Sequence, residues 1–410
     1  MIAPELLALV VAPLLGAPVY SAALGARAEL RLRSPGDVAV DGRTSDRSFD
    51  TDLSATARML ARFRRTEFAI GYLPRLTFRD FTGLQTTDVL HGAEASASWR
   101  ASRRVRLSLR ESASYGDRYF SPLAGTGADT GRPISPSAQA ALEGSVSYVS
   151  TDTVLSSGLT LSRRSNLELA TSYFVNGGAD RASREVLPLI SGARAGGVWS
   201  YALRRIDTLS TDVETSYQRT RATSQLASIR TFTLVATEGW TRRWSRRTRS
   251  NLAAGVGVAR SSPTEEGWFV FPSGAASLNH RIVTDSEHGT LELIGTAEVE
   301  GTVDQLTGQA DPRFRAAARL VQTLDPVTIY AEVSRTVSLR ESPSELRLTA
   351  AEGGAELELT KALSLESGVR VVDQSFAAGA PPLATSGLNW AVFIALELRF
   401  GPRPIRYFTR

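Results

Sequence analysis

The chain of 410 residues is 42% hydrophobic with a mean hydropathy of −0.11, and beyond its first two dozen residues no apolar run reaches about 18 residues, which excludes helical membrane spans. It has no cysteine and only three histidines, His91, His280 and His288, so disulfide scaffolds, thiolate zinc sites and most histidine-centred catalysis lack their side chains. The net charge of +5 rests on arginine, with Lys361 the only lysine, and the arginines are scattered along the chain, unlike the clustered patch of a nucleic-acid binder.

Residues 1–23 hold an apolar stretch from Leu6 to Leu15 and then Ser21-Ala22-Ala23, small residues suited to cleavage before Leu24; this predicts a secretory signal peptide, although Glu5 stands where Lys or Arg is usual. The part expected to remain, residues 24–400, is read as one domain.

A first strand is predicted over Ala26 to Arg33. From Thr51 to Phe63 the pattern is explicit: Leu53, Ala55, Ala57, Met59, Ala61 and Phe63 fall on one face, and Asp52, Ser54, Thr56, Arg58 and Arg62 on the other. Period-two alternation of this kind sends successive side chains to opposite faces of a strand. Phe68, Ile70, Tyr72, Leu76 and Phe78 continue it after a hairpin-length gap at Arg64-Arg65. Further tight turns are expected near Ser102-Arg103, Arg163-Arg164-Ser165, Arg205-Ile206, Trp244-Ser245-Arg246, Asp285-Ser286, Leu324-Asp325 and Lys361-Ala362.

The alternate links are longer and richer in Gly, Pro, Ser and Asp: Ser34 to Asp50, Arg79 to Asp88, Gly116 to Ser137, Asn176 to Ser191 and Phe376 to Ser386. Residues 116–150 are read as the long external loop region, with Gln139 to Ser150 either extending the following strand above the membrane or folding on the barrel. Residues 401–410 form a periplasmic tail after the strongly alternating last strand, Leu388 to Phe400. Short turns on one side and long loops on the other are the mark of outer-membrane barrels, and the tally is about eighteen strands. The expected fold is therefore all-β, a single transmembrane antiparallel β-barrel in the bacterial outer membrane. Aromatic girdles are expected at Phe63, Trp99, Trp240, Trp244 and Phe400 near the turns, and at Tyr115, Tyr173, Tyr217, Trp268 and Phe269 near the loops.

The same alternation assigns lumen-lining side chains: Arg58, Arg104, Arg106, Arg110, Glu292, Glu298, Glu300, Arg313, Arg315, Arg319, Glu352, Glu356 and Glu358, together with Asp52, Glu94, Glu168, Asp212, Glu214 and Glu366. Charges of both signs buried dry would cost several kcal/mol each, so they are expected to be solvated or paired across strands. A basic early wall facing acidic later strands would set a transverse field; the alternative is a simply solvated lumen. No G-x-S-x-G, HExxH, P-loop or Rossmann fingerprint is present, so no enzyme, catalytic residue, metal or cofactor is expected. Gly255-Val256-Gly257 lies within an alternating strand and reads as close packing.

On this architecture, across residues 25–400, the chain resembles the stand-alone eighteen-stranded barrels that secrete polysaccharide, as in alginate export and in myxobacterial systems where a barrel partners a periplasmic polysaccharide-export lipoprotein. The resemblance implies a charged, hydrated conduit to which a periplasmic partner hands a polysaccharide chain at the turn side. The chain also resembles general or selective diffusion porins, and a structural or surface-anchoring barrel with a closed lumen is the third reading. Partners on these readings are outer-membrane lipids, the polysaccharide and its periplasmic export protein, and no nucleic acid, with the barrel a monomer or homotrimer.

Overall fold

The computed structural model describes residues 19–34, 48–81, 84–120, 144–224, 227–263, 267–283, 289–304, 307–340, 345–376 and 387–401. Residues 1–18, the Asp285-Ser286 turn, His288, the middle of the 116–150 region and the tail beyond Gly401 lie outside them.

The strands are β1 (Val19–Ser34), β2 (Ser48–Arg62), β3 (Thr66–Tyr72), β4 (Arg75–Phe81), β5 (Leu84–Arg100), β6 (Val105–Phe120), β7 (Gly144–Thr160), β8 (Ser165–Gly178), β9 (Ile190–Ala202) and β10 (Asp207–Thr220). They continue as β11 (Ile229–Arg243), β12 (Thr248–Ser262), β13 (Phe269–Val283), β14 (Thr290–Val303), β15 (Ala310–Leu324), β16 (Val327–Ser338), β17 (Leu346–Glu358), β18 (Leu363–Phe376) and β19 (Gly387–Phe400). A short helix, α1 (Arg181–Val186), lies between β8 and β9.

Apart from β3 and β4, which do not pair with each other, strands consecutive in the chain pair antiparallel, and β1 pairs with both β2 and β19, which closes the sheet. β3 and β4 both sit between β2 and β5 in one continuous register, from Ala57↔Tyr72 to Ser54↔Arg75, so nineteen strands make eighteen staves. The break falls at Pro74, which has no N–H to donate, although its carbonyl still accepts from Ala55 N–H at 3.0 Å. Closure leaves no unpaired edge, the condition for a sheet in lipid.

One face of every stave is apolar and exposed, as in Leu24, Leu30 and Leu32 of β1 and Leu388, Val392, Ile394 and Leu396 of β19. That face is the outer wall. Trp99, Trp199, Trp240 and Phe400 mark its turn-side rim, and Tyr115, Tyr173, Tyr217 and Trp268 its loop-side rim. Phe269 corrects the expectation: it faces inward and packs against Phe271, which is 4% exposed.

Several boundaries differ from those read in the sequence. β1 begins at Val19, upstream of the expected cleavage site, and residues 19–23 pair with Arg62 to Arg58 of β2. The link Arg79 to Asp88 is mostly strand, with pairing up to Phe81↔Leu84. Within 116–150, Gly116–Phe120 pairs with Gly144–Tyr148, so the described part of the alternating segment, from Gly144 on, belongs to β7; residues 139–143 lie outside the described residues. Backbone pairing past the apolar belt satisfies N–H and C=O groups that a loop would leave to water.

Candidate functional site

The candidate site is the barrel interior, and its inner face follows from register, because directly paired residues point the same way. Arg58 faces inward on β2 and forms an ion pair with Glu94 at 3.4 Å. Arg106 and Arg110 face inward on β6, both exposed, and neither has an ion-pair or hydrogen-bond partner among the described residues. Arg104 does not line the lumen: β6 starts at Val105, and Arg104 sits exposed in the preceding turn, its carbonyl accepting from Thr160 N–H at 2.8 Å.

On β14, Glu292 accepts from Asn279 at 2.7 Å, Glu298 pairs with Arg315 at 3.4 Å, and Glu300 lies opposite Arg313. Arg313 also holds Asp304 at 3.0 Å and Asp311 at 2.6 Å, while Arg319 reaches Glu332 at 4.0 Å. Glu352 is held by Arg370 at 2.5 Å; Glu356 lies opposite Glu366, and Glu358 ends β17 at the turn side. Acidic strands are thus interleaved with basic ones. A wall of single sign does not form on β14 to β18, so the transverse field loses its acidic pole there.

Strand β1 supplies residues missing from the sequence-derived set. Arg27, Glu29, Arg31 and Arg33 point inward; Arg27 bridges Glu29 at 2.9 Å and Glu366 at 2.8 Å, and Arg33 meets Asp50 at 2.8 Å with both side chains almost fully buried. Arg31 pairs with Glu29, Arg75 with Asp52, and Arg79 with Asp88. The signal was present as strict alternation, Ala26, Ala28, Leu30 and Leu32 against these four. Glu29 and Asp52 face each other directly across β1 and β2, and only the guanidinium groups between them make that tolerable.

The lumen changes along its axis. At the turn-side end, Arg106, Arg110, Thr160, Glu168 and Glu214 of β6 to β10 are exposed to the interior. At the loop-side end the same wall is buried, because two segments fold onto it. The first is the segment bearing α1. Leu187, fully buried at the C-cap of α1, packs on Val146 and Tyr148 of β7, with Leu90 of β5 and Val186 of α1 alongside.

Asp180 caps α1 by accepting from Ser183 N–H at 2.8 Å, and this backbone bond holds its carboxyl below the usual carboxylate range. Glu185 accepts from Ser224 N–H at 2.6 Å and from its hydroxyl, which bridges α1 to the segment after β10 and lowers the Glu185 pKa.

The second segment is the tip of the β14–β15 hairpin. β13 and β14 stay paired only up to Gly274↔Val299, whereas β14 and β15 continue to Val303↔Ala310. The freed tip bends inward: Ala310 is buried with Ala259 and Phe271, its N–H donates to Ser261 Oγ at 3.0 Å, and Thr231 Oγ1 donates to Gly308 O at 2.6 Å. Gly257 makes room for the Phe271 ring, since a Cβ there would lie 2.2 Å from Phe271 Cζ. The expectation of close packing at Gly257 is met, with a functional consequence: the ring it admits seats the inward hairpin.

His91 and His280 both lie on the outer wall, bonded to Tyr72 Oη at 2.7 Å and Thr248 Oγ1 at 2.8 Å respectively. Neither faces the lumen. Among the described residues, the inner wall of β6 to β10 is exposed near the turns, and near the loops the inner wall is covered by the α1 segment and the β14–β15 tip.

Comparison with known proteins bears on the fold and on the family. The fold is similar to the FrpB iron transporter from Neisseria meningitidis (F3-3 variant), with 8% identity and a TM-score of 0.53 over 92% of this chain and 81% of that one. OpdO from Pseudomonas aeruginosa is 11% identical, with a TM-score of 0.49 over 93% of this chain and 97% of that one. At such identities the likeness concerns the fold alone. No curated protein matches the sequence. The sequence model of the EpsX exopolysaccharide export family matches residues 15–400, and the chain belongs to that family.

Proposed function

We propose that the barrel is the outer-membrane conduit through which a polysaccharide chain leaves the cell, entering at the turn side from a periplasmic export partner and leaving through a loop-side mouth that must open. The observation that carries this reading is the axial asymmetry of the lumen in a chain of an exopolysaccharide export family. A turn-side wall of exposed polar side chains suits capture of a polar polymer. Two segments folded onto the inner wall near the loops suit a pore that narrows there while idle.

The inner wall of β6 to β13 supports passage, because between its few charges it presents Ser108, Ser156, Ser172, Thr237 and Ser277 beside Gly158, Gly196 and Gly255. Hydroxyl groups exchange hydrogen bonds with sugar hydroxyls singly and weakly, so no one position holds the chain. Strands β15 to β19 with β1, β2 and β4 act as the rigid counter-wall through their ion pairs. A leader within the first residues would direct secretion, and the barrel acts without its own catalysis.

The test is surface and secreted polysaccharide in a strain lacking the gene, against the same strain complemented. Loss of external polymer with precursors still made is the expected result; unchanged polymer would refute export. A diffusion pore would then show as steady conductance of the purified barrel in planar bilayers.

A further inference from the structure

The arginines that look scattered in the sequence are gathered by the fold. Five successive turn-side hairpins carry adjacent arginines: Arg64-Arg65, Arg103-Arg104, Arg163-Arg164, Arg204-Arg205 and Arg246-Arg247, all exposed. They join β2 to β3, β5 to β6, β7 to β8, β9 to β10 and β11 to β12. Neighbouring hairpins lie two strands apart, about 10 Å, so the ten guanidinium groups follow an arc of roughly 40 Å along one side of the rim. The hairpins elsewhere among the described residues differ, with Asp325-Pro326 between β15 and β16 and Thr360-Lys361-Ala362 between β17 and β18.

A second feature keeps to the same arc. Trp99, Trp199, Trp240 and Trp244 are four of the six tryptophans, and all four lie on the outer wall or turns of these hairpins. Trp240 and Trp244 meet edge to face at 6.3 Å, with the Arg242 guanidinium 4.3 Å over the Trp244 ring. Trp199 Nε1 donates to Ser165 Oγ at 2.8 Å, tying β9 to the arginine hairpin before it. Tryptophan settles at the headgroup level of a bilayer, and a few residues further out at about 3.3 Å each is the depth of the phosphates. The arginine pairs stand there, and guanidinium groups bind phosphate through paired N–H donors.

We propose that this arc is a binding surface for acidic phospholipid headgroups in the leaflet facing the turns, fixing the depth and tilt of the barrel so that the exposed side of its entrance opens squarely to the periplasm. The arc follows the outer wall, where lipid lies, and each part of it is bordered by the aromatic belt; an acidic protein docking across the pore entrance would not require that border.

The test uses the purified full-length barrel in phosphatidylcholine vesicles with and without phosphatidylglycerol, its thermal unfolding followed by circular dichroism. Phosphatidylglycerol is expected to raise the midpoint for the wild type, and high salt to erase the gain. Replacing all five pairs with Gln should remove the gain, and replacing them with Lys should restore part of it. Should the ten-site variant fail to fold, R103Q/R104Q with R163Q/R164Q should lower the gain in proportion. No gain in the wild type, or an equal gain in the Gln variant, would overturn the proposal. So would inorganic phosphate reproducing the gain in phosphatidylcholine alone, because the surface would then take free anions. A wild type indifferent to phosphatidylglycerol, together with loss of secreted polymer by the Gln variant in cells, would overturn it in favour of a protein partner. None of these readouts except the last depends on the barrel exporting polysaccharide.

Discussion

The two ends of the lumen are built from the same eighteen staves yet behave as different materials. Near the turns the inward side chains Arg106, Arg110, Thr160, Glu168 and Glu214 of β6 to β10 stand in solvent, and Arg106 and Arg110 have no ion-pair partner among the described residues. Near the loops the interior is packed: Leu187, Ala310, Phe271 and Arg33 are almost or fully buried, and every carboxylate along β1, β2 and β15 is matched to a guanidinium. The difference shows how a barrel separates stability from passage. Ion pairs taken out of water are destructive to break, whereas solvated charges can be changed freely at small cost to folding.

The sharpest way to break this contrast is Arg370→Met. It strands Glu352 beside Glu332, its direct partner across β16 and β17, with Glu366 nearby on Tyr330 Oη at 2.7 Å. We expect a loss of about 3–5 kcal/mol, read from urea unfolding in lipid vesicles. A loss under about 1 kcal/mol would mean that the counter-wall is as wet as the entrance.

Leu187→Ala attacks the mouth. Emptying a fully buried leucine position between α1 and Val146 and Tyr148 costs about 2–5 kcal/mol of local packing and should raise the open probability of single channels. Unaltered conductance would place the seal elsewhere. Arg106→Glu with Arg110→Glu should move folding stability by only about 0.5 kcal/mol, yet shift reversal potentials from anion towards cation preference. An unchanged potential would show that these side chains do not border the ion path.

The smallest expected effect is one of pH. The Asp180 carboxyl is lowered by Ser183 N–H, so its support of α1 is complete above the ordinary carboxylate range and fades as pH falls through the lowered value. Single-channel recordings should therefore show more frequent opening in acid than near neutrality, and Asp180→Asn should weaken that dependence. A wild type equally closed across that range would detach the mouth from the cap.

The outer wall could be read directly from the chain because its signal is local. Alternation such as Leu388 to Phe400 needs no neighbour to be recognised, and the turns at Arg64-Arg65 and Lys361-Ala362 fall where the pattern changes strand. Inward parity is written in the same alternation, but Arg104, expected in the lumen, stands one position before β6, in a turn. Phe269 went astray because an aromatic near a strand end looks the same whether it meets lipid or the inner wall.

By itself, then, the sequence determined the barrel, its strand number and which side of each stave meets lipid, since a period of two is written residue by residue. Tertiary structure alone decided that α1 and the β14–β15 tip fold inward, that Arg27, Glu29, Arg31 and Arg33 of β1 join a buried ion-pair lattice, and that separated arginines share one rim. Each of these depends on groups distant in the chain, such as Arg27 and Glu366, arriving side by side only when the sheet closes.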